Sequence, residues 1–312
     1  MLHIETGDPE FHVIIHDGIL VDELRLPTRA PVLWILLASL LFATMSALVK
    51  VAAKGVSLPE IVLFRTLPAA IFMVALARMR GQSMATPNAR LLVLRCVVGV
   101  CGTFVSFYAV SNLPLATATT LEYTTPLFML VYIVLFARHH FTPQIAFAMI
   151  GGFAGVVVLL RPTLETGQTL AFFAALASGA LAALAYVLIR RLTEAGEPAS
   201  RIVLWYSVSG AVVAAAIVPF TPRSDYDVQT VVALGALSVV GLLAQISLTR
   251  AFGSGPTTLL ASLQYATVAF AAIYGVVLWG DTLSAASVFG LSLIVLSGIV
   301  ALRAEKPIPV ES

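Results

Sequence analysis

The chain has 312 residues, of which 59% are hydrophobic and 11% charged, with a formal net charge of +2. Soluble domains carry about 25% charged residues, so this chain lacks the side chains to cover a water-facing surface. Its basic residues are spread over loops rather than clustered, which gives no reason to expect nucleic acid as a partner.

Residues Met1 to Ala30 hold six acids and two arginines, Arg25 and Arg29. An acidic start is unlike a secretory signal, which needs a basic beginning and an apolar centre. The runs FHVII and GILV suit a short strand or a small amphipathic piece, and the expectation is a cytoplasmic tail (1–30) with little stable structure. Ten apolar runs follow, with cores at Val32–Ala53, Leu58–Met79, Leu91–Asn112, Pro114–Ala137, Pro143–Leu160, Leu170–Leu192, Ile202–Phe220, Val231–Phe252, Pro256–Trp279 and Ala285–Leu302. Each is close to the roughly 20 residues that cross a bilayer as helix. Pro59, Pro114, Pro143 and Pro256 suit a first helical turn, where no hydrogen-bond donor is lost. Thr142 and Ser284 stand where an N-cap is wanted. Residues 304–312 form a short terminal tail.

The basic residues near span ends set the orientation. With the amino terminus inside, thirteen, Arg95 and Arg250 among them, fall on the cytoplasmic side, and four (Lys50, Lys54, Arg161 and Arg223) fall outside. That bias places both termini in the cytoplasm, and the expected home is the cell membrane, as a bacterial inner membrane.

The span-four stretch LPLATATTLEYTTPLFMLVYIVLFAR recurs. Shifting the chain by 142 residues lays Pro114–Arg161 on Pro256–Arg303 without a gap, and eleven of 48 positions agree. Glu122-Tyr123 falls on Gln264-Tyr265. Five spans per half is an odd number, so the second half (168–303) enters the membrane upside down relative to the first (31–161). The fold expected is an all-α membrane protein with ten transmembrane helices in two inverted five-helix repeats. Inverted repeats mark secondary transporters, whose site lies where the halves meet.

The stretches FYAVSNLPLATATTLEYTTPLF, GGFAGVVVLLRP, LTRAFGSGPTTLLASLQY and VVLWGD resemble the drug/metabolite transporter superfamily, EamA type, over about residues 32 to 303. That family commonly has a glycine-acid step after its fourth and ninth helices. Gly280-Asp281 keeps it in the second copy, whereas the first has Ala137-Arg138. The resemblance implies a ten-helix carrier of small metabolites or amino acids, often moved outward.

Arg65 and Glu122 are the opposite charges expected deep inside spans. A charge at that depth costs about 3 kcal/mol or more without a partner. Counted from their span starts, both lie about 10–12 Å from the outer face. Equal depth permits an ion pair, read either as a packing device or as a shared cavity able to hold a zwitterion. The candidate substrate-binding residues are Arg65, Tyr108, Glu122, Tyr123, Gln264 and Tyr265, with Glu122 also the candidate for a coupling proton. Trp34, Trp205, Tyr206 and Trp279 read as interface anchors, and Arg250 as a snorkelling side chain. Cys96, Cys101 and His139-His140 match no metal-ligand spacing, so no metal and no cofactor is expected. Gly151-x-x-x-Gly155, with Gly99, Gly102 and Gly179, suits close helix packing.

The chain contains no HExxH, GxSxG or Walker motif. The reading is therefore not an enzyme but a secondary transporter, an exporter of amino-acid-like or other small polar or amphipathic solutes by alternating access. An intramembrane enzyme and a receptor or scaffold are the competing classes. The expected partners are a small-molecule substrate and the lipid bilayer, with a homodimer left open.

Overall fold

In the computed structural model, residues 29–52, 55–113, 115–132, 143–161, 167–222, 224, 226–279 and 284–304 are described. The acidic tail to residue 28 and His139-His140 lie outside them. The described residues form helices and no strand. In chain order they are α1 (Arg29–Ala52), α2 (Leu58–Met79), α3 (Ala89–Asn112), α4 (Leu115–Glu122), α5 (Thr125–Tyr132), α6 (Pro143–Leu160), α7 (Thr169–Glu194), α8 (Ala199–Ile217), α9 (Val228–Ser254), α10 (Thr257–Leu263), α11 (Ala266–Trp279) and α12 (Ala285–Ala304). Among the described residues, nine segments are long and apolar enough to cross a membrane. The remaining predicted span falls on α4 and α5 and runs on past the described residues.

Side chains such as Leu33, Ile71, Phe147 and Val277 are more than 60% exposed. A chain that shows this much large aliphatic and aromatic surface on its helices is solvated by lipid tails, not water.

Helix packing carries the repeat. The fourth helix of each half is split, so α4–α5 corresponds to α10–α11, and α1, α2, α3 and α6 correspond to α7, α8, α9 and α12. The long contact of α1 with α9 is matched by α7 with α3. The contact of α1 with α11 is matched by α7 with α4 and α5. Two contacts map onto themselves, α2 with α8 and α6 with α12, so a pseudo-two-fold axis passes between these pairs. At the α6–α12 contact the backbones touch: a Cβ on Gly155 or on Gly290 would lie 2.7 Å from the other's carbonyl oxygen. Small residues permit that approach in lipid, where van der Waals contact drives association. Gly151, the other half of the predicted motif, faces open space. Its place is taken by Gly152, against which the Tyr265 ring lies.

Candidate substrate-binding site

Both copies of the repeated stretch are broken at their polar-aromatic pair, where the sequence alone suggested continuous spans. In the first copy the break covers Tyr123 and Thr124. Pro126 has no N–H for the Glu122 carbonyl, and the Thr125 hydroxyl donates to it instead at 2.7 Å. The Thr124 N–H reaches back only three residues, to Leu121 at 3.2 Å. The second copy has Val268 in place of the proline and still breaks at Gln264-Tyr265. There the turn tightens, Thr267 N–H donating to Gln264 O and Val268 N–H to Tyr265 O, each at 3.0 Å. Broken helices expose backbone and polar side chains at membrane depth only where protein or a cavity surrounds them. The two breaks are also joined, by a hydrogen bond between the Tyr123 and Thr267 side chains.

Helix α3 runs past the first break with one polar face. Arg95, Gly99, Thr103 and Ser106 are spaced four, four and three apart, which puts them on one stripe. At one end of the stripe the Ser106 hydroxyl donates to the Glu122 carboxylate. In the middle, Thr103 and Tyr206 of α8 share a hydrogen bond of 3.1 Å. At the other end the Arg95 guanidinium lies over the Tyr206 ring, 4.8 Å from its centroid. It folds back along its own helix, so that a Cβ on Gly99 would lie 2.1 Å from Nη1. Arg95 is 2% exposed, and its Nε and Nη1 have no hydrogen-bond partner among the described residues.

The structure separates Arg65 from Glu122. Among the described residues the two form no ion pair; Arg65 lies against Gly241 of α9, with Tyr206, Arg95 and Tyr186 within reach of its charge. Equal depth is only an axial coordinate. The azimuth comes from packing: α2 lies on α8 and α9, whereas α4 lies on α7, α3 and α6. Gln264 is buried; its Nε2 donates to the Tyr186 hydroxyl at 2.9 Å, while its Oε1 has no partner among the described residues. Tyr123 packs beside the second break with Tyr265 and Val268. Tyr265 is fully buried, and its hydroxyl donates to the Met149 carbonyl at 3.1 Å. Tyr108 is 44% exposed on the flank of α3. The structure therefore gathers Glu122, Tyr123 and Gln264 around the breaks, sets Arg65 with Arg95, and leaves Tyr265 in the core and Tyr108 outside the cluster.

Two carboxylate clamps close the bundle ends. At the start of α2, Glu60 accepts from Ser57 Oγ at 2.9 Å, from Tyr226 at 3.1 Å and from Ser224, so the α8–α9 loop is tied to α2. At the start of α8, Glu197 accepts from Arg201 at 2.7 Å, from Asn88 at 3.1 Å and from Thr86, so the α2–α3 loop is tied to α8. Exchanging the repeats turns one arrangement into the other, though not residue for residue. A cavity of about 160 Å³ beside the Glu197 clamp is lined by Met73, Met84, Arg201 and Leu204. It lies at helix ends, and the unpartnered polar atoms of the buried cluster do not line it.

The EamA-like transporter family model matches residues 29–161 and again 169–303. The chain belongs to the EamA-like transporter family. It is 29% identical to the pseudopaline exporter CntI of Pseudomonas aeruginosa (strain UCBPP-PA14), over 89% of this chain and 98% of that protein. An uncharacterized transporter of Helicobacter pylori (strain 26695) is 26% identical over 85% of this chain and 92% of its own length. Solute carrier family 35 member G1 of Mus musculus is 25% identical over 84% of this chain and 75% of that protein. A solved crystal structure superposes with a TM-score of 0.78 at 21% identity, covering 88% of this chain and 99% of that one, which shows the shared fold. The protein is a multi-pass membrane transporter of small metabolites.

Sequence reasoning about this EamA-like transporter missed Arg95, Tyr206, Tyr186 and Ser106. Arg95 is six residues into α3, within snorkelling reach of the surface, and was counted with the cytoplasmic basic residues; its burial takes it out of that tally, leaving twelve against four. The stripe of Arg, Gly, Thr and Ser at helical spacing was the available signal. Tyr206, read as an interface anchor, is 6% exposed. It stands seven residues after the first residue of α8, as Arg65 stands seven after the first of α2, so the two are repeat equivalents. The Arg250 guanidinium lies over Trp34, 4.8 Å from its ring centroid, a cation–π pair.

Proposed function

We propose that the protein exports small polar, amino-acid-like solutes across a bacterial inner membrane by alternating access, with both termini cytoplasmic. The observation that carries alternating access is the pair of clamps. α2 and α8 run antiparallel in an inverted repeat, so the Glu60 clamp and the Glu197 clamp hold opposite ends of the same inter-repeat seam. Releasing one while the other stays closed opens the seam to one side only, as carriers built from inverted repeats require. Among the described residues the Glu197 clamp contains a cation, and the Glu60 clamp is made of hydroxyl and amide donors.

Outward direction is supported by the resemblance to a pseudopaline exporter, and cytoplasmic termini by the basic bias near span ends. Glu122, Tyr123, Gln264 and Arg65 line the proposed path, Tyr265 backs the second break, and Tyr108 lies at the edge. Glu122 carries the coupling proton in this scheme, because among the described residues its carboxylate meets a hydroxyl donor and no cation. The test is transport of small zwitterions in proteoliposomes against an imposed pH gradient. Glu122→Gln is expected to insert normally and to lose the gradient-dependent part of the flux. A wild-type rate and pH profile in that variant refutes the coupling role.

A further inference from the structure

We infer that Arg95, with Arg65 beside it, is the carboxylate anchor of the substrate site, and that Glu122 with Ser106 holds the substrate's amine at the far end of the same α3 stripe. The inference rests on the transporter reading and names the chemistry of its cargo. A guanidinium does not give up its proton in a protein. Burying one without a counter-charge is strongly unfavourable, yet Arg95 is 2% exposed with two donor nitrogens unused among the described residues. Its neighbours do not repair this. Among the described residues, the Tyr206 ring offers its face, and the charge that acts on Arg95 is a second cation, Arg65, which repels it. A buried guanidinium with unused donors, in the positive field of a second one, is an anion receptor. Gln264 Oε1, also buried and unused, adds an acceptor for a substrate N–H.

The stripe also sets a length. The Arg95 head sits at the level of Gly99 and the Glu122 head at the level of Ser106. Seven residues of helix separate those levels, about 10 Å at 1.5 Å per residue. A free α-amino acid cannot place its amine and carboxylate that far apart, whereas an extended tripeptide spans about 10 Å. The cargo class is therefore an elongated amino-carboxylate with its charges at opposite ends.

The experiment is ligand binding to purified protein, by thermal shift and calorimetry, with triglycine, triglycinamide and glycine as probes. Triglycine is expected to bind, and the amide and glycine to bind roughly ten- to a hundredfold more weakly, since each lacks either the anion or the reach. Arg95→Met is expected to lose the preference for triglycine over its amide while melting no lower than wild type in the absence of ligand, because it removes an uncompensated buried charge. Gly99→Ala keeps the charge but drives Nη1 aside, and is expected to weaken triglycine binding with little change in melting. Lower unliganded stability in Arg95→Met together with an unchanged preference would make Arg95 a packing element and overturn the proposal. Ordered water as the partner of Arg95 predicts an unchanged preference, and that result alone overturns it too. Equal binding of triglycine and its amide by wild type also overturns it, while the transporter reading is judged separately by flux in proteoliposomes.

Discussion

The Glu197 clamp gives the most direct handle on alternating access. Glu197→Ala removes the acceptor of Arg201, Asn88 and Thr86 at once. Breaking a fully buried ion pair costs about 3–5 kcal/mol. Here the Arg201 side chain is 19% exposed and can turn to water once released, so the loss is nearer the cost of one or two charge-assisted hydrogen bonds, about 2–3 kcal/mol. At 1.36 kcal/mol per tenfold, the open population at this end rises roughly 30- to 160-fold. The Asn88 amide reports it, since it donates to the Thr86 hydroxyl at 2.9 Å and that hydroxyl is held by Glu197. Hydrogen exchange of that amide in nanodiscs should accelerate by the same factor, while protection around Glu60 stays as in wild type. Unchanged exchange at Asn88 in the variant would refute the clamp. The pH dependence follows from the same contacts. Burial pushes the Glu197 carboxyl up, but the bonds from Thr86, Arg201 and Asn88 and the Arg201 charge outweigh it, and the group sits below its ordinary 4.5. The clamp is therefore at full strength above that value and is lost only as pH falls through the lowered one; wild-type exchange at Asn88 should be flat from neutrality to about pH 5.

Other tests address the frame. Gly290→Ala puts a Cβ 2.7 Å from the Gly155 carbonyl oxygen and 2.8 Å from the Leu159 nitrogen, both backbone, so α6 and α12 must part; a loss of about 1–3 kcal/mol in detergent unfolding is expected, and wild-type stability would mean the helices are not in backbone contact. Reporter fusions after Arg80, Arg138, Arg191 and Arg250 should all read cytoplasmic; two of the four reading external would overturn the orientation.

The sequence alone determined the class of the molecule. An excess of apolar runs of bilayer length cannot be anything but membrane-spanning helix, because the backbone must bond within itself in lipid. The 142-residue offset was legible because Pro114 and Pro256, Tyr123 and Tyr265, and Arg161 and Arg303 recur in register within a biased composition. The expected depth of Glu122 rests on rise per residue alone. The tertiary structure decided which groups face each other. A one-dimensional pattern gives an expected depth along the bilayer normal, and two residues expected at equal depth on α2 and α4 still point into different neighbours; Arg65 goes to Gly241 of α9, Glu122 to Ser106. The helix breaks were hidden for a similar reason. Pro126 hinted at the first, but the second occurs at Val268 without a proline and is held by i-to-i+3 bonds. Arg95 carries the same lesson: six residues into a span, an arginine reaches either water or the bundle axis, and only the packing of α3 against α7 and α8 turned it inward.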